Sequence, residues 1–309
     1  MALTGPTRYR HRQIADGHTE GMHGRARAPG AGTVLNAIAS GTGAAFAIDL
    51  HTEAAVSLSD ETGVHATISE NPAADTTLIE TCFSLTLDRY GTSDVRGGTV
   101  RTESEIPMAS GLKSSSAAAN ATILATLSAL DVRNVDRIDA CRLGVEAARK
   151  AGVTITGAFD DASASMLGGV TVTDNSTDEL IQHEPFDYEV AIHTPTAVAF
   201  SADTDVDRCQ SVAPVAVLVA ELARTGRYPL AMTVNGFAFA GALDQSAEPM
   251  IAALPDVAGV SLSGTGPSTV AIGTESQITQ VIDRWSSLDG VVRRTTTNAA
   301  GTTILEHEG

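Results

Sequence analysis

The sequence predicts an α+β chain of two domains, on three observations. Strand-like and helix-like periods follow one another in mixed order along 309 residues, not in the regular alternation a doubly wound parallel sheet requires. The pattern changes character after Gly168-Gly169, which places a boundary near residue 170 and gives domains at 22–170 and 171–309. Residues 1–21 follow neither period and are polar and basic, so they read as a disordered N-terminal extension. Met22, which opens the patterned sequence, is the expected start.

Taken in order, Val34 to Ser59 reads as strand and turn, with Gly41 and Gly43 punctuating two apolar runs. Asp75 to Tyr90 has helical spacing in Leu78, Ile79, Cys82 and Leu85. Thr99, Val100 and Thr102 sit among charged residues between Gly97 and Ile106, as in an exposed strand. A Gly- and Ser-rich loop over 107–116 runs into an Ala-rich helix ending near Leu130. A second helix spans Asp136 to Ala151, with Asp136 as N-cap and Gly152 as its stop. Beyond the boundary, strands fit 169–173, 188–194, 257–263, 268–273 and 290–297. Amphipathic helices fit 205–224, 229–252 and 275–287.

Composition narrows the function classes. Asp and Glu total 37 against 20 Lys and Arg, a net charge of −17, and the only lysines are Lys113 and Lys150. The acidic residues are scattered, which favours a surface adapted to high salt over an acidic tail for a cationic partner. Either way a nucleic-acid partner is not expected. No run approaches the roughly 18–20 apolar residues that span a bilayer, so neither a membrane partner nor a secretory leader is expected, and the location reads as cytoplasmic. Cys82, Cys141 and Cys209 have no metal or disulfide spacing and read as isolated thiols. The sequence leaves monomer and homodimer both open.

The most informative stretch is Pro107-Met108-Ala109-Ser110-Gly111-Leu112-Lys113-Ser114-Ser115-Ser116-Ala117. A flexible loop entering a helix offers that helix's free N–H groups and dipole to a phosphate. Three serines add hydroxyls for phosphate or Mg²⁺, and one of only two lysines adds a cation. The plainer reading is a Ser N-cap on a small-residue helix with a lysine nearby. It is not a Walker A loop, since Leu112 separates Gly111 from Lys113. A second stretch, Thr156-Gly157-Ala158-Phe159-Asp160-Asp161-Ala162-Ser163, pairs two carboxylates beside a glycine, suited to accepting a proton or to capping a short helix. Glu146 is placed to pair with Lys150 four residues on. Gly264, Thr265 and Gly266 permit either close backbone approach to a ligand or a tight turn.

These stretches resemble the motifs of the GHMP kinases, a family of small-molecule kinases. Pro107 to Ala117 is similar to the second family motif, Pro-x-x-x-Gly-Leu-x-Ser-Ser-x-Ala. Arg27-Ala28-Pro29-Gly30 resembles the first motif, and Ser263-Gly264-Thr265-Gly266-Pro267-Ser268 resembles the third. The resemblance covers essentially all of 22–309 and implies a two-domain GHMP kinase fold with a ferredoxin-like C-terminal domain. It also implies ATP bound by Pro107 and Ala109 through Ala117, Asp160 as catalytic base, and Mg²⁺ reached by Ser115 and Glu146. Lys113 would pair with the nucleotide phosphates, Asp161 would cap its helix, and Asn36, Gly264, Thr265 and Gly266 would meet the substrate.

The first motif helps to choose among alcohols. Ala37 and Ile38 occupy the positions where mevalonate and galactose kinases carry a Glu-His pair. The run from Gly32 through Asn36-Ala37-Ile38-Ala39 to Leu50, with the doubled Asp160-Asp161, is similar to the archaeal shikimate kinases. That implies shikimate as the small-molecule substrate, phosphorylated at its 3-hydroxyl on the route to chorismate and the aromatic amino acids. A cationic clamp, most naturally an arginine, is expected for the substrate carboxylate. Homoserine or another small alcohol is the alternative. A non-catalytic RNA-associated module is a third reading, opposed by the charge and by Asp160 and Glu146.

Overall fold

The computed structural model describes residues 22–196, 205–254 and 256–306. The extension expected at 1–21 lies outside the described residues. The first layer is a seven-stranded sheet among the described residues. Its spine is β1 (His23–Leu35) paired antiparallel to the long β2 (Thr42–Ser59). The outer half of β2 pairs with β4 (Gly97–Ser104), and β3 (Gly63–Ile68) lies parallel to β4 at the edge. The inner half of β2, Thr42 to Phe46, pairs with β5 (Val170–Asp174), which carries β6 (Glu179–Glu184). The short β11 (Thr303–Leu305) closes the free side of β1.

Two expectations change here. Gly97 to Ile106 is not an exposed strand, because β4 lies between β2 and β3. Val100 and Thr102 are buried, while Arg101 and Glu103 face out. Residue 171, expected to open the second domain, lies within β5, which is hydrogen-bonded into the first sheet. The chain leaves that sheet only after β6.

Four helices serve this layer. α1 (Thr77–Tyr90) connects the parallel pair β3 and β4. α2 (Ser114–Ala129) packs on β1 and β2 and is buried on nearly every side from Ala117 to Ala129. Its alanines and threonines suit that place, since a helix buried all round has no room for long polar side chains. α3 (Arg137–Lys150) starts where Asp136 accepts hydrogen bonds from the Ile138 and Asp139 N–H groups, as its sequence predicts. α4 (Phe159–Leu167) is short and lies against β1, β2, α2 and α3.

The second layer runs β7 (Glu189–Thr194), α5 (Val206–Gln210), α6 (Ala213–Arg224), α7 (Tyr228–Ala242), α8 (Glu248–Ala253), β8 (Gly259–Leu262), β9 (Thr269–Gly273), α9 (Glu275–Trp285) and β10 (Val291–Thr296). The sheet order β10-β7-β9-β8, antiparallel throughout, is the 4-1-3-2 arrangement of a ferredoxin-like unit, as the resemblance implies. The helix expected over 205–224 divides at residues 211–212 into α5 and α6. That over 229–252 divides where Asp244 takes a left-handed backbone (φ 56°).

One hydrophobic core joins the layers. Phe46 and Leu35 from the first sheet share it with Val190, Ile192 and Ile272 from the second. Phe186 bridges them, its ring 5.2 Å from Phe46 and 5.8 Å from Tyr228. A smaller cluster forms around the fully buried Trp285, whose indole N–H donates to the Pro249 carbonyl at 2.8 Å. Each such large side chain contributes about 1.5–3 kcal/mol.

Candidate active site

The loop before α2 turns sharply. Ala109, Gly111 and Lys113 all have positive φ (51°, 81° and 66°), and Ser110 Oγ donates to the Pro107 carbonyl at 2.6 Å. Left-handed non-glycine residues are uncommon and cluster at ligand clamps. The plainer reading of a serine cap does not hold. Lys113 occupies the N-cap position, and no side chain caps the helix. Ser114, Ser115 and Ser116 form its first turn, with the helix N-terminus open to a cleft.

The three motifs, far apart in sequence, meet at this loop. Ser263 Oγ donates to the Gly111 carbonyl at 2.9 Å, and the Ser268 N–H donates to the Ser110 carbonyl at 3.2 Å. A Cβ on Gly111 would lie 2.2 Å from the Ser263 carbonyl oxygen, so only glycine permits this approach. On the other flank the Ala31 N–H donates to the Leu112 carbonyl at 3.2 Å. The Gly264 N–H donates to Thr33 Oγ1 at 2.8 Å, and Asn36 Nδ2 donates to the Gly264 carbonyl at 3.0 Å. Asn36 and Gly264 thus tie the end of β1 to the third glycine loop while also lining the cleft. Thr265 lines it too; Gly266 is not among the lining residues.

The cleft has a volume of about 380 Å³, within the range of small-ligand sites. Its walls include Ser114 to Ser116, Lys113, Asp160 and Asp161. Neither aspartate caps α4, whose N-cap is Ala158 in a left-handed conformation. Both stand in its first turn, where negative charge is favoured. Asp161 is not the helix cap expected of it. It is buried, and its Oδ2 lies 3.0 Å from Lys113 Nζ. Its Oδ1 is buried with no hydrogen-bond partner in the protein. Burial, and next the Asp160 carboxylate, push the Asp161 carboxyl up to about 7, with Lys113 pulling the other way. Asp160 is held through one carboxylate oxygen and its backbone: Asn175 Nδ2 donates to its Oδ1 at 2.7 Å, and its N–H donates to Asn175 Oδ1 at 3.2 Å.

Glu146 stands apart. It pairs with Lys150 at 2.8 Å on a half-exposed face of α3, while its neighbours Val145 and Ala148 line the cleft. Among the described residues no cluster of three or more His, Cys, Asp or Glu side chains forms a metal site. Lys113 is the only basic side chain lining the cleft among the described residues, so the anticipated arginine clamp is not found there. Sequence reasoning also missed Asn175 and Thr33, since an Asn after a strand and a Thr within one carry no signal of their own.

Three comparisons place this geometry. Residues 77–169 match the family model described as GHMP kinases N terminal domain. The shikimate kinase of Halobacterium salinarum is 60% identical over 282 residues, covering 91% of this chain and 99% of that protein. The shikimate kinase of Methanosarcina mazei is 49% identical over 292 residues, covering 93% and 99%. Among solved structures, the homoserine kinase from Cytophaga hutchinsonii superposes with a TM-score of 0.74 at 18% identity, covering 95% of this chain and 100% of that one. That likeness concerns the fold.

Proposed function

This chain belongs to the GHMP kinases and, within them, to the shikimate kinases, and from that premise we propose that its cleft moves the γ-phosphoryl group of ATP to the 3-hydroxyl of shikimate through Lys113 and the Asp160–Asp161 pair. One observation carries the reading. A buried lysine–carboxylate pair stands at the foot of an uncapped helix N-terminus, with one carboxylate oxygen lacking a partner.

The chemistry follows from these groups. The open N–H groups of α2 and the loop from Ala109 to Lys113 receive the triphosphate, and the Lys113 ammonium offsets its charge. The substrate hydroxyl lies against the Asp160–Asp161 pair that lines the cleft. As the hydroxyl oxygen bonds to the γ-phosphorus, the bond to the β-phosphate oxygen breaks and ADP departs. The hydroxyl proton passes to this carboxylate pair. A carboxylate whose proton affinity is poised near 7 is suited to that task at neutral pH. The family motif assigns the base to Asp160. Asn175 holds only Oδ1 of Asp160, whereas Asp161 has one oxygen tied to Lys113 and the other buried, so we let Asp160 receive the proton and keep Asp161 as its coupled neighbour.

Mg²⁺ accompanies ATP in such reactions and neutralises charge on the phosphates. Magnesium takes few protein ligands and many from phosphate and water, so the absence of a carboxylate cluster is compatible with it. Ser115, in the first turn of α2, would be one ligand. Glu146 would join by leaving Lys150, at a cost of about 0.3–0.5 kcal/mol for an exposed i,i+4 pair. Among the described residues no helix is long and apolar enough to cross a membrane. We place the reaction in the cytoplasm, where ATP is supplied.

The test is ADP release in molar KCl with shikimate, homoserine and mevalonate side by side. Turnover with shikimate and not with the others is expected. Turnover with homoserine alone would move the assignment to that alcohol.

A further inference from the structure

The loop between α3 and α4 folds on two threonine hydroxyls. Thr154 Oγ1 accepts the Gly157 N–H at 3.0 Å, and Thr156 Oγ1 accepts the Ala158 N–H at 3.2 Å. These turns accompany the left-handed backbone of Gly157 and Ala158 (φ 88° and 52°) that leads into α4 and Asp160. Thr156 Oγ1 accepts a second hydrogen bond, from Asn175 Nδ2 at 3.3 Å. Both of its lone pairs are then occupied, and no acceptor for its own hydrogen is found among the described residues.

A tetrahedral hydroxyl with two donors upon it directs its hydrogen along the one position left. Thr156 lines the cleft and is only partly buried, so that position opens towards a ligand. The donor stands beside Asp160, because the same Asn175 Nδ2 also donates to Asp160 Oδ1 at 2.7 Å. Thr156 and Asp160 are one NH₂ group apart. Thr154 lines the cleft too, but its oxygen keeps a free lone pair and can accept as readily as donate.

We propose that Thr156 is a specificity-determining residue, its hydroxyl donating to the substrate oxygen on the carbon next to the one that is phosphorylated. The inference rests on the reading of the cleft as the site of shikimate phosphorylation.

The chemistry of the alcohols turns this donor into a selection. With its reacting hydroxyl against the aspartate pair, shikimate carries a second hydroxyl on the adjacent ring carbon. Homoserine and mevalonate have a methylene there and offer the donor nothing. A donor that gives up its water without a replacement rejects such an analogue more strongly than an apolar wall does. A nucleotide phosphate is the other oxygen in reach of this cleft. The groups suited to phosphate, the open N–H groups of α2 and Lys113, belong to the loop before α2, whereas Thr156 shares its anchor with Asp160.

The experiment is a cycle of enzyme and substrate read as kcat/KM: wild type, Thr156→Val and Thr156→Ser, each with shikimate and with 4-deoxyshikimate. Wild type and Thr156→Ser prefer shikimate by about ten- to a hundredfold. In Thr156→Val the preference falls to within about threefold. The valine also removes the acceptor for the Ala158 N–H, so a loss common to both substrates is expected and only the ratio reads the bond. An unchanged ratio in Thr156→Val overturns the proposal whatever the loss of rate, and so does a rise in KM for ATP as the sole effect. Should the valine variant not fold, wild type alone decides. There 4-deoxyshikimate must lose more than 5-deoxyshikimate, and equal turnover of the two overturns the proposal. A wild-type enzyme that does not phosphorylate shikimate refutes the choice of substrate itself, whereas shikimate turnover with an undisturbed ratio refutes only the role of Thr156.

Discussion

Lys113 Nζ and Asp161 Oδ2 stand 3.0 Å apart, with only 12% and 11% of their side chains exposed. Burying such a pair costs desolvation that its mutual attraction does not reliably return, so it is weak evidence of stabilisation and better evidence of use. Its place in front of an uncapped helix ties the phosphate-binding end of the cleft to the carboxylate pair.

Removing the acceptor should abolish turnover while sparing binding. Asp160→Asn lowers kcat by about three orders of magnitude with KM for ATP little changed, whereas Asp161→Asn, which leaves Lys113 unpaired, costs less in kcat. Steady-state ADP release on both variants checks this, and near-normal turnover in Asp160→Asn would remove that residue from the mechanism.

The pH profile should report the same group. The carboxylate pair works ionised, so kcat rises with pH through about 7 and levels above it. Lys113 pulls the proton affinity of Asp161 down, so Lys113→Met moves that limb to higher pH as well as weakening ATP binding. An unmoved limb would mean the lysine is not felt by the base.

Stability carries a matching signature. The Asp161 carboxyl is raised to about 7 in the folded protein from 3.8, so between those values the folded state binds the extra proton. Its contribution to stability is therefore fullest below pH 3.8, declines as pH rises towards 7, and is level beyond. The wild-type melting temperature should fall relative to that of Asp161→Asn over that window, a change on the order of 3–4 kcal/mol at most. Parallel melting curves from pH 4 to 8 would contradict the shift.

Gly264 leaves room for the lysine ammonium. It has φ 60°, and a Cβ there would lie 2.8 Å from Lys113 Nζ. Gly264→Ala should displace the ammonium and raise KM for ATP several-fold, with a smaller loss of stability, about 1 kcal/mol, from the left-handed backbone. Nucleotide titration and melting on one sample separate the two effects.

Glu146→Gln tests the metal. If Glu146 leaves Lys150 for Mg²⁺, the variant needs several-fold more Mg²⁺ for half-maximal rate. An unchanged requirement would leave Glu146 as an exposed ion pair.

Much of this was legible in the residues. The helices α2 and α3 announce themselves through an apolar alanine run and through Asp136 and Gly152, whose interactions are local. The three motifs could be read as one site because each carries glycines or serines whose purpose is close approach. What the chain conceals depends on orientation. Which of two adjacent aspartates meets Lys113 is set by the rotation of α4, and adjacent helical positions point about 100° apart. The edge strands β3, β6 and β11 were missed because they are short and none of their side chains is fully buried. The boundary at residue 170 misreads a double glycine that ends α4 and starts β5 within the same sheet.

The pairing of β11 with β1, Arg25 opposite Leu305, has a consequence for synthesis. During translation the outer rim of the first strand waits, its N–H and C=O groups unsatisfied, until residues 303–305 have left the ribosome. A ribosome stalled anywhere earlier presents an open sheet edge to its neighbours, so this chain is most prone to association while still nascent.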